Sequence, residues 1–283
     1  MKHVKKIRKK LYELKNLEGI EFVHGCDKRK TTLQKSIEKL EEYLLKFKEY
    51  NKKVYICGNR NSYSKTDIYA TFMRMKENAM KNGQLKPVYN VRNGVDAEYI
   101  TWLTVAPELT DITTFIPFLK RIEKNSNFKY LKIVDDARYE SEENYSFIEE
   151  NNQISFIKPS NYEISKTRKY KNDISRIDNM DYDSESDLFI CQNGKKLIAN
   201  GVKIRKSKTG YESVKTIYIC EDCSNCNYKS QCIKGNNSKI PLEKRTKKFE
   251  TSKKFNRQRK EDLERIITDE GILLRMNRSI QAE

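Results

Sequence analysis

The stretch YLKIVDDARYESEENYSFIEENNQISFIK, residues 130–158, sets two short apolar runs on either side of a helical one. Tyr130–Asp136 is apolar up to its acidic end, the mark of a short strand buried on both faces. Ser141 followed by Glu142 and Glu143 reads as a helix start, because a serine oxygen accepts from free first-turn amides and carboxylates favour the positive end of the helix dipole. That helix is expected to reach about Glu150. ISFIK (Ile154–Lys158) is then a second strand, ended by Pro159, which has no N–H to offer a sheet. Asp136 falls just past the first strand and before a helix N-terminus, the edge at which α/β sheets present their ligands. The same position also suits an ordinary turn or cap aspartate.

Working upstream, VYNVRNGV (Val88–Val95) and YITWLTVA (Tyr99–Ala106) are β-branched and aromatic runs joined by Asp96-Ala97-Glu98, which predicts a β-hairpin. Thr110 or Asp111 then caps a helix through Ile116, Phe118, Leu119 and Ile122. The order hairpin, helix, strand, helix, strand predicts an α/β fold with a mixed sheet and helical crossovers. Further upstream, Leu33, Ile37, Leu40, Leu44 and Phe47 recur at helical spacing from Thr32 to Lys52, an exposed amphipathic connector. GNRNSYSKTD (Gly58–Asp67) is a polar loop, and TFMRMKENAMKNG (Thr71–Gly83) reads as a short basic helix closed by Asn82 and Gly83.

Downstream, periodicity fades between Pro159 and about Leu242. That polar, basic stretch is punctuated by Gly194, Gly201, Gly210 and Gly235 and reads as an insertion. Helical spacing returns at Ser252, breaks near Thr268 and Asp269, and continues to the last residue. In this last helix Leu273, Met276 and Ile280 form an apolar face with Glu283 at its edge, while Arg275 and Arg278 face away. The expected organisation is a helical connector (1–57), a core (58–159), a cysteine-rich basic insertion (160–250) and C-terminal helices returning to the core (251–283).

The chain has 283 residues, enough for one large domain carrying an inserted module, and 17 tyrosines among its aromatics argue against wholesale disorder. Its formal net charge of +17 attracts polyanions and makes nucleic acid the expected partner. Two basic runs stand out. Lys195, Lys196, Lys203, Arg205, Lys206, Lys208 and Lys215 lie near Tyr211 and Tyr218. Lys247, Lys248, Lys253, Lys254, Arg257, Arg259 and Lys260 precede the last helices. They suit phosphate contacts, most of all Lys195, Lys196, Lys203, Arg205, Lys206, Lys208, Lys253, Lys254 and Arg257; a solvated face is the other reading. No apolar run is long enough to span a bilayer, and MKHVKKIRKK is followed by charged residues rather than an apolar secretory segment, so the cytoplasm is the expected compartment, with no membrane partner.

Seven cysteines without an export signal suggest thiols or a metal rather than disulfides. In CEDCSNCNYKSQC, Cys220, Cys223, Cys226 and Cys232 have spacings suited to one tetrahedral Zn2+. An iron–sulfur cluster ranks behind zinc because the last spacing and the missing proline depart from the ferredoxin run. Unliganded cysteines are the third reading. Cys191 can replace one ligand, since three cysteines three apart strain a single site; Cys26 and Cys57 look incidental.

RNSYSKTD, ATFMRMK, NGQLKPVYNV, IVDDARYESEENY and ILLRMNRSIQAE together resemble the DDE-type insertion-sequence transposases of Firmicutes, over roughly Gly19 to Glu283. The resemblance implies a ribonuclease H-like core that cuts and joins DNA, acting on element ends and target, with a homodimer on DNA as one assembly it allows. It implies three carboxylates holding two Mg2+ ions for in-line phosphoryl transfer. Asp136 matches the second catalytic aspartate and Glu283 the third carboxylate; Tyr139 matches a family tyrosine.

The departures are specific. The family's first catalytic aspartate lies in an Asp-Gly-Thr strand upstream of the long helix, and no such motif occurs between Met1 and Thr31. A glycine after the second aspartate is Arg138 here, an acidic position two residues after Asp67 is Tyr69, and family chains continue beyond Glu283. The expectation is therefore a transposase chain truncated at both ends and inactive alone. A zinc-containing protein that holds nucleic acid without cutting it is the alternative.

Overall fold

A computed structural model describes residues 2–25, 28–75, 80, 82–108, 110–235 and 239–282. Cys26 and Glu283 lie outside the described residues. The chain divides into two compact units, residues 1–90 with 105–109, and residues 91–104 with 110–283.

The first unit opens with α1 (Lys2–Leu17) and α2 (Thr32–Cys57). The sequence reading places residues 1–57 in a helical connector but delimits no separate first helix, because a lysine- and arginine-rich surface masks the apolar spacing of α1. Arg8 and Tyr12 of α1 meet Glu41 of α2 at 3.0 and 2.7 Å. Thr31 caps α2, its hydroxyl accepting from Gln34 N at 3.2 Å. The helix runs past the expected Lys52 and stops at Gly58, whose φ of 57° suits glycine. In the loop that follows, the Arg60 guanidinium donates to the carbonyls of Ile56, Ile68 and Tyr69.

The expected basic helix over Thr71–Gly83 is not what the chain forms at its start. Thr71–Arg74 is strand β1, paired antiparallel with β2 (Leu85–Val88), Thr71 facing Val88. Cross-strand pairing and the complete burial of Thr71 override a weak helical pattern. Residues 76–79 and 81 of that stretch lie outside the described ones.

The hairpin β3 (Asn90–Asp96) and β4 (Tyr99–Ala106) follows, turning at Ala97 with φ 52°. Val88 belongs to β2 and not to this hairpin. Within the second unit, α3 (Phe115–Ser126) packs over Gly94, where a Cβ would meet Phe118 at 3.2 Å and Ile122 at 3.3 Å. Next come β5 (Lys132–Asp135), α4 (Glu142–Glu150) and β6 (Ile154–Ile157). The two strands pair in parallel, Asp135 opposite Ile157. Ser141 caps α4 as expected, its hydroxyl accepting from Asn144 N at 3.1 Å. The predicted element order is present, but the hairpin and the parallel pair are separate two-stranded sheets and not one mixed sheet. Among the described residues no strand pairs with both of them.

Two short helices, α5 (Tyr162–Ser165) and α6 (Arg168–Lys171), lead into a region the sequence reading leaves without strands. It contains β7 (Asp181–Asp183), β8 (Leu188–Ile190), β9 (Lys196–Lys206), β10 (Glu212–Cys220), the one-turn α7 (Lys229–Cys232) and β11 (Lys248–Thr251). The strands form a five-stranded antiparallel meander in sequence order. The reason they escape notice is that β9 is exposed except at Leu197 and carries an extra residue opposite β10, where Gly201 has φ 136°. Phe189, Leu197, Tyr218 and Cys220 form its core, with Phe249 stacked on Tyr218 at 5.4 Å.

The chain closes with α8 (Lys253–Ile266), capped by Ser252, and α9 (Asp269–Ala282), broken from α8 as expected. Phe115, Ile133, Tyr145, Ile148 and Ile157 form the core of the α/β part, with Phe255 of α8 packed on it. Burying each such side chain contributes about 1.5–3 kcal/mol. Asp262 of α8 is fully buried and ties this part together. Its carboxylate accepts from Ser155 Oγ at 2.6 Å, Ile157 N at 2.7 Å and Tyr145 OH at 3.4 Å, with Arg265 at 3.7 Å.

The orientation of α9 reverses the sequence expectation. Leu273, Met276 and Ile280 are 57, 56 and 73 % exposed, while Gly271, Leu274, Arg275 and Arg278 form the covered face. Gly271 sets this, because its bare Cα faces the Arg265 carbonyl and Ile266 Cα at the end of α8, and a Cβ would come within 2.8 Å of the latter.

Asp262→Ala strips acceptors from three buried donors and is expected to cost about 3 kcal/mol, read as a lowered urea midpoint. Burial holds the Asp262 carboxyl above the usual carboxylate range, against the pull of its donors, Ser155 first. A raised folded-state value means folding favours the protonated form, so the proton-linked part of the stability is complete below the unfolded value and is lost as pH rises through the folded one, while the acceptor role remains. Asp262→Asn, which does not titrate, should flatten the corresponding decline in stability on going up from acid pH. Gly271→Ala should cost about 1–3 kcal/mol by forcing α9 off α8; an unchanged midpoint would show that α9 is not seated there.

Candidate functional site

At the end of β5 the chain turns through a short 3-10 helix, Ala137–Tyr139, and Asp136 caps it, its Oδ1 accepting from Arg138 N at 2.8 Å. Oδ2 of Asp136 pairs with Arg278 of α9 at 3.4 Å. The sequence reading turned Arg278 away from the sheet; the structure places it against the candidate catalytic aspartate. Beside them stand two acids that the sequence reading did not single out as functional. Asp135 keeps some exposed surface, yet its carboxyl is enclosed by protein, and burial pushes it up to about 7 against the pull of Arg278, with Asp136 and Asp111 adding. Asp111 pairs with Arg92 at 3.3 Å and Arg138 at 3.6 Å. Burial, with Asp135 and Asp111 adding to it, pushes the Tyr139 hydroxyl up to about 12.

This arrangement is a network of acids and arginines at the carboxyl edge of a parallel pair. Sequence-distant ion partners such as Arg92, Asp111 and Arg278 leave no local motif; only Asp135, adjacent to Asp136, was open to sequence reasoning. Among the described residues, no group of three or more His, Cys, Asp or Glu side chains is arranged to hold a metal ion. Both oxygens of Asp136 are already engaged, one by a backbone amide and one by a guanidinium, so this carboxylate cluster does not fit a metal as it stands. Asp67, in the first unit, accepts from Tyr89 OH at 2.6 Å and Tyr69 N at 3.1 Å, which hold its carboxyl below the usual range.

The cysteines are brought together. Cys191, Cys220, Cys223, Cys226 and Cys232 line one cavity of about 20 Å³ at the end of the five-stranded sheet. Cys57 lies elsewhere, in α2. Cys220 is the deepest of the five, and burial, with Cys223 adding, pushes its thiol up to about 12. Burial also raises Cys232.

The basic residues are more internally engaged than their sequence runs suggest. Lys203 and Arg205 reach Glu250 of β11 at 3.7 and 2.9 Å, and Lys206 reaches Glu212 at 3.4 Å. Lys253 pairs with Asp187 at 2.5 Å, and Arg257 with Glu149 at 3.1 Å and Glu261 at 2.8 Å. The Lys254 ammonium lies 6.0 Å from the Tyr211 ring centre. Lys195 lines the cysteine cavity, Lys196 opens β9, and Lys208 sits in the β9–β10 turn. Exposed pairs of this kind are worth about 0–1 kcal/mol, so phosphates can exchange for their carboxylate partners.

No helix among the described residues is long and apolar enough to cross a membrane. Neither a curated protein nor a solved structure matches the chain. A family model described as Transposase DDE domain matches residues 190–283, a segment that holds the cysteine cavity, the β9–β10 hairpin, α8 and α9, and this match supports a DDE-type transposase.

Proposed function

We propose that the second unit derives from a ribonuclease H-like DDE transposase core that binds double-stranded DNA, and that this chain does not cut DNA alone. The observation that carries the reading is Asp136, set at the carboxyl end of β5 against α9, the helix that the family match covers and that Glu283 follows in sequence. Asp136 and Glu283 are the two carboxylates assigned to the reaction. In such sites divalent ions, Mg2+ in this family, activate the attacking oxygen and stabilise the leaving one.

The residues of this chain act differently in the arrangement seen. Arg278 supplies the positive charge that Asp136 needs, and Arg138 N and Arg278 together fix its rotamer. Asp135 and Asp111 would repel Asp136 if all three were ionised. Arg92 and Arg138 offset the charge of Asp111, and enclosure keeps Asp135 neutral below about pH 7. Engagement of both Asp136 oxygens, by Arg138 N and by Arg278, supports inactivity of the isolated chain. The same pairing favours, as a second reading, a non-catalytic protein that only holds nucleic acid. The basic residues of the β9–β10 hairpin and α8 are the proposed backbone contacts.

Incubated with DNA carrying the element's own ends, in Mg2+ or Mn2+, the chain should neither nick nor join strands. Metal-dependent nicking that Asp136→Ala abolishes would overturn the inactivity and establish Asp136 as catalytic. Duplex DNA binding should be weakly sequence-selective and should loosen about a hundredfold between about 50 and 200 mM salt, as expected for about four phosphate contacts. Affinity that stays flat over that range would remove the electrostatic basis of the reading.

A further inference from the structure

Five thiols converge on one cavity from separate parts of the fold. Cys191 sits in the turn after β8, Cys220 ends β10, Cys223 and Cys226 lie in the following loop, and Cys232 ends α7. The turn at Cys191 is closed by Cys191 N to Lys195 O at 3.0 Å and Gly194 N to Cys191 O at 2.8 Å. In the loop, the Asp222 carboxylate accepts from Ser224 N at 2.7 Å and Ser224 Oγ at 2.6 Å, and Asn225 takes φ 48°. Cys226 O accepts from Lys229 N at 3.1 Å, which starts the turn that delivers Cys232. Cys223 Sγ accepts a backbone N–H from Lys247 at 3.4 Å, a bond that strengthens when sulfur carries negative charge. Lys247 in turn anchors the Cys232 carbonyl at 3.1 Å. The loops are thus fixed by hydrogen bonds that do not involve the thiols of Cys191, Cys226 or Cys232.

The five are not equivalent. Cys220 is 3 % exposed, packed with Met180, Phe189, Leu197 and Tyr218, and its thiol donates to the Asp222 carbonyl at 3.4 Å. It is engaged as a protonated, apolar side chain. The other four are half-buried at the cavity. Using Cys220, Cys223 and Cys226 together would also draw three ligands from one seven-residue stretch. Taking Cys191 instead draws ligands from the turn after β8, the loop after β10 and α7, which suits a tetrahedron. The cavity has room for about one water-sized atom, the size of a single ion. Lys195, Lys229 and Lys247 also line it, and their charges offset the excess negative charge of a four-thiolate zinc.

We propose that Cys191, Cys223, Cys226 and Cys232 bind one Zn2+ in this cavity, with Cys220 packed beneath them as a thiol. Binding releases the four thiol protons and draws the sulfurs to about 2.3 Å from the ion, closing a ligand set that the metal-free thiols leave open. The ion would lock the β8–β9 turn to the loop after β10 and to α7. This inference stands apart from the catalytic reading and holds whether or not the chain cuts DNA.

The full chain, purified under reducing conditions with Zn2+ present, should carry one zinc per chain by elemental analysis. Replacement by Co2+ should give the visible bands of a tetrahedral thiolate site. Cys191→Ser, Cys223→Ser and Cys226→Ser should each lose most of the zinc and change the Co2+ spectrum, while Cys220→Ala keeps one zinc and the unaltered spectrum. No stoichiometric metal in the wild-type chain, or iron in its place, would overturn the site, and this measurement does not depend on any variant folding. Zinc retained in Cys191→Ser but lost in Cys220→Ala would overturn the ligand set.

Discussion

The carboxylate of Asp262 is the constraint on which the α/β part of the second unit depends. It is fully buried, and its cost is partly offset because Ser155 and Ile157 of β6 and Tyr145 of α4 donate to it and Arg265 lies 3.7 Å away. One α8 residue thereby fixes β6 and α4 at once. Glu140, itself nearly buried, accepts from Arg259 at 2.6 Å and repeats the device one turn earlier on α8. With α8 held, the break at Ile267 and Thr268 and the bare face of Gly271 fix where α9 starts, and the placement of Arg278 beside Asp136 follows. The electrostatic cluster at the end of β5 is therefore downstream of a polar contact deep in the core.

Much of this part was legible in the sequence because its signals are local. Ser141 caps the helix it was expected to start, Ser252 stands where helical spacing was expected to return, and the two strands flanking α4 are short apolar runs with clear stops. The five-stranded sheet was not legible. Thr216, Tyr218 and Cys220 alternate as a half-buried strand should, but β9 opposite them offers one buried residue, a glycine bulge and a row of cations. Its outer half is a hairpin held by backbone pairing with little burial on either side, so composition resembled a loop. The face of α9 was misread for a different reason. Its apolar residues are the more numerous, yet backbone proximity at a glycine and an ion pair at Arg278 decided the orientation.

The candidate site was most legible where it is contiguous. The four cysteines of one segment announced themselves by spacing, while Cys191 joined them through the pairing of β8, β9 and β10, which sets its turn beside the end of β10. Asp136 stood out by position, but Arg92, Asp111 and Arg278, which decide its electrostatics together with Asp135, come from three other elements. Charge counting overstated the unpaired basic surface for the same reason. Glu149, Asp187 and Glu250 are remote in sequence from the cations they meet.

The strictly sequential order of the five-stranded meander bears on how the chain reaches this structure. Each of its pairings joins neighbours along the chain, the kind of contact that costs little loop-closure entropy and forms quickly. The bond between Ile157 and Asp262 spans 105 residues and is the opposite kind. Once the meander is folded, however, β11 runs directly into α8, and most of the intervening chain is already compact. The segment that must then be searched through conformational space is much shorter than the covalent separation. A module that looks like an interruption of the α/β core, once folded, shortens the loop that the core has to close.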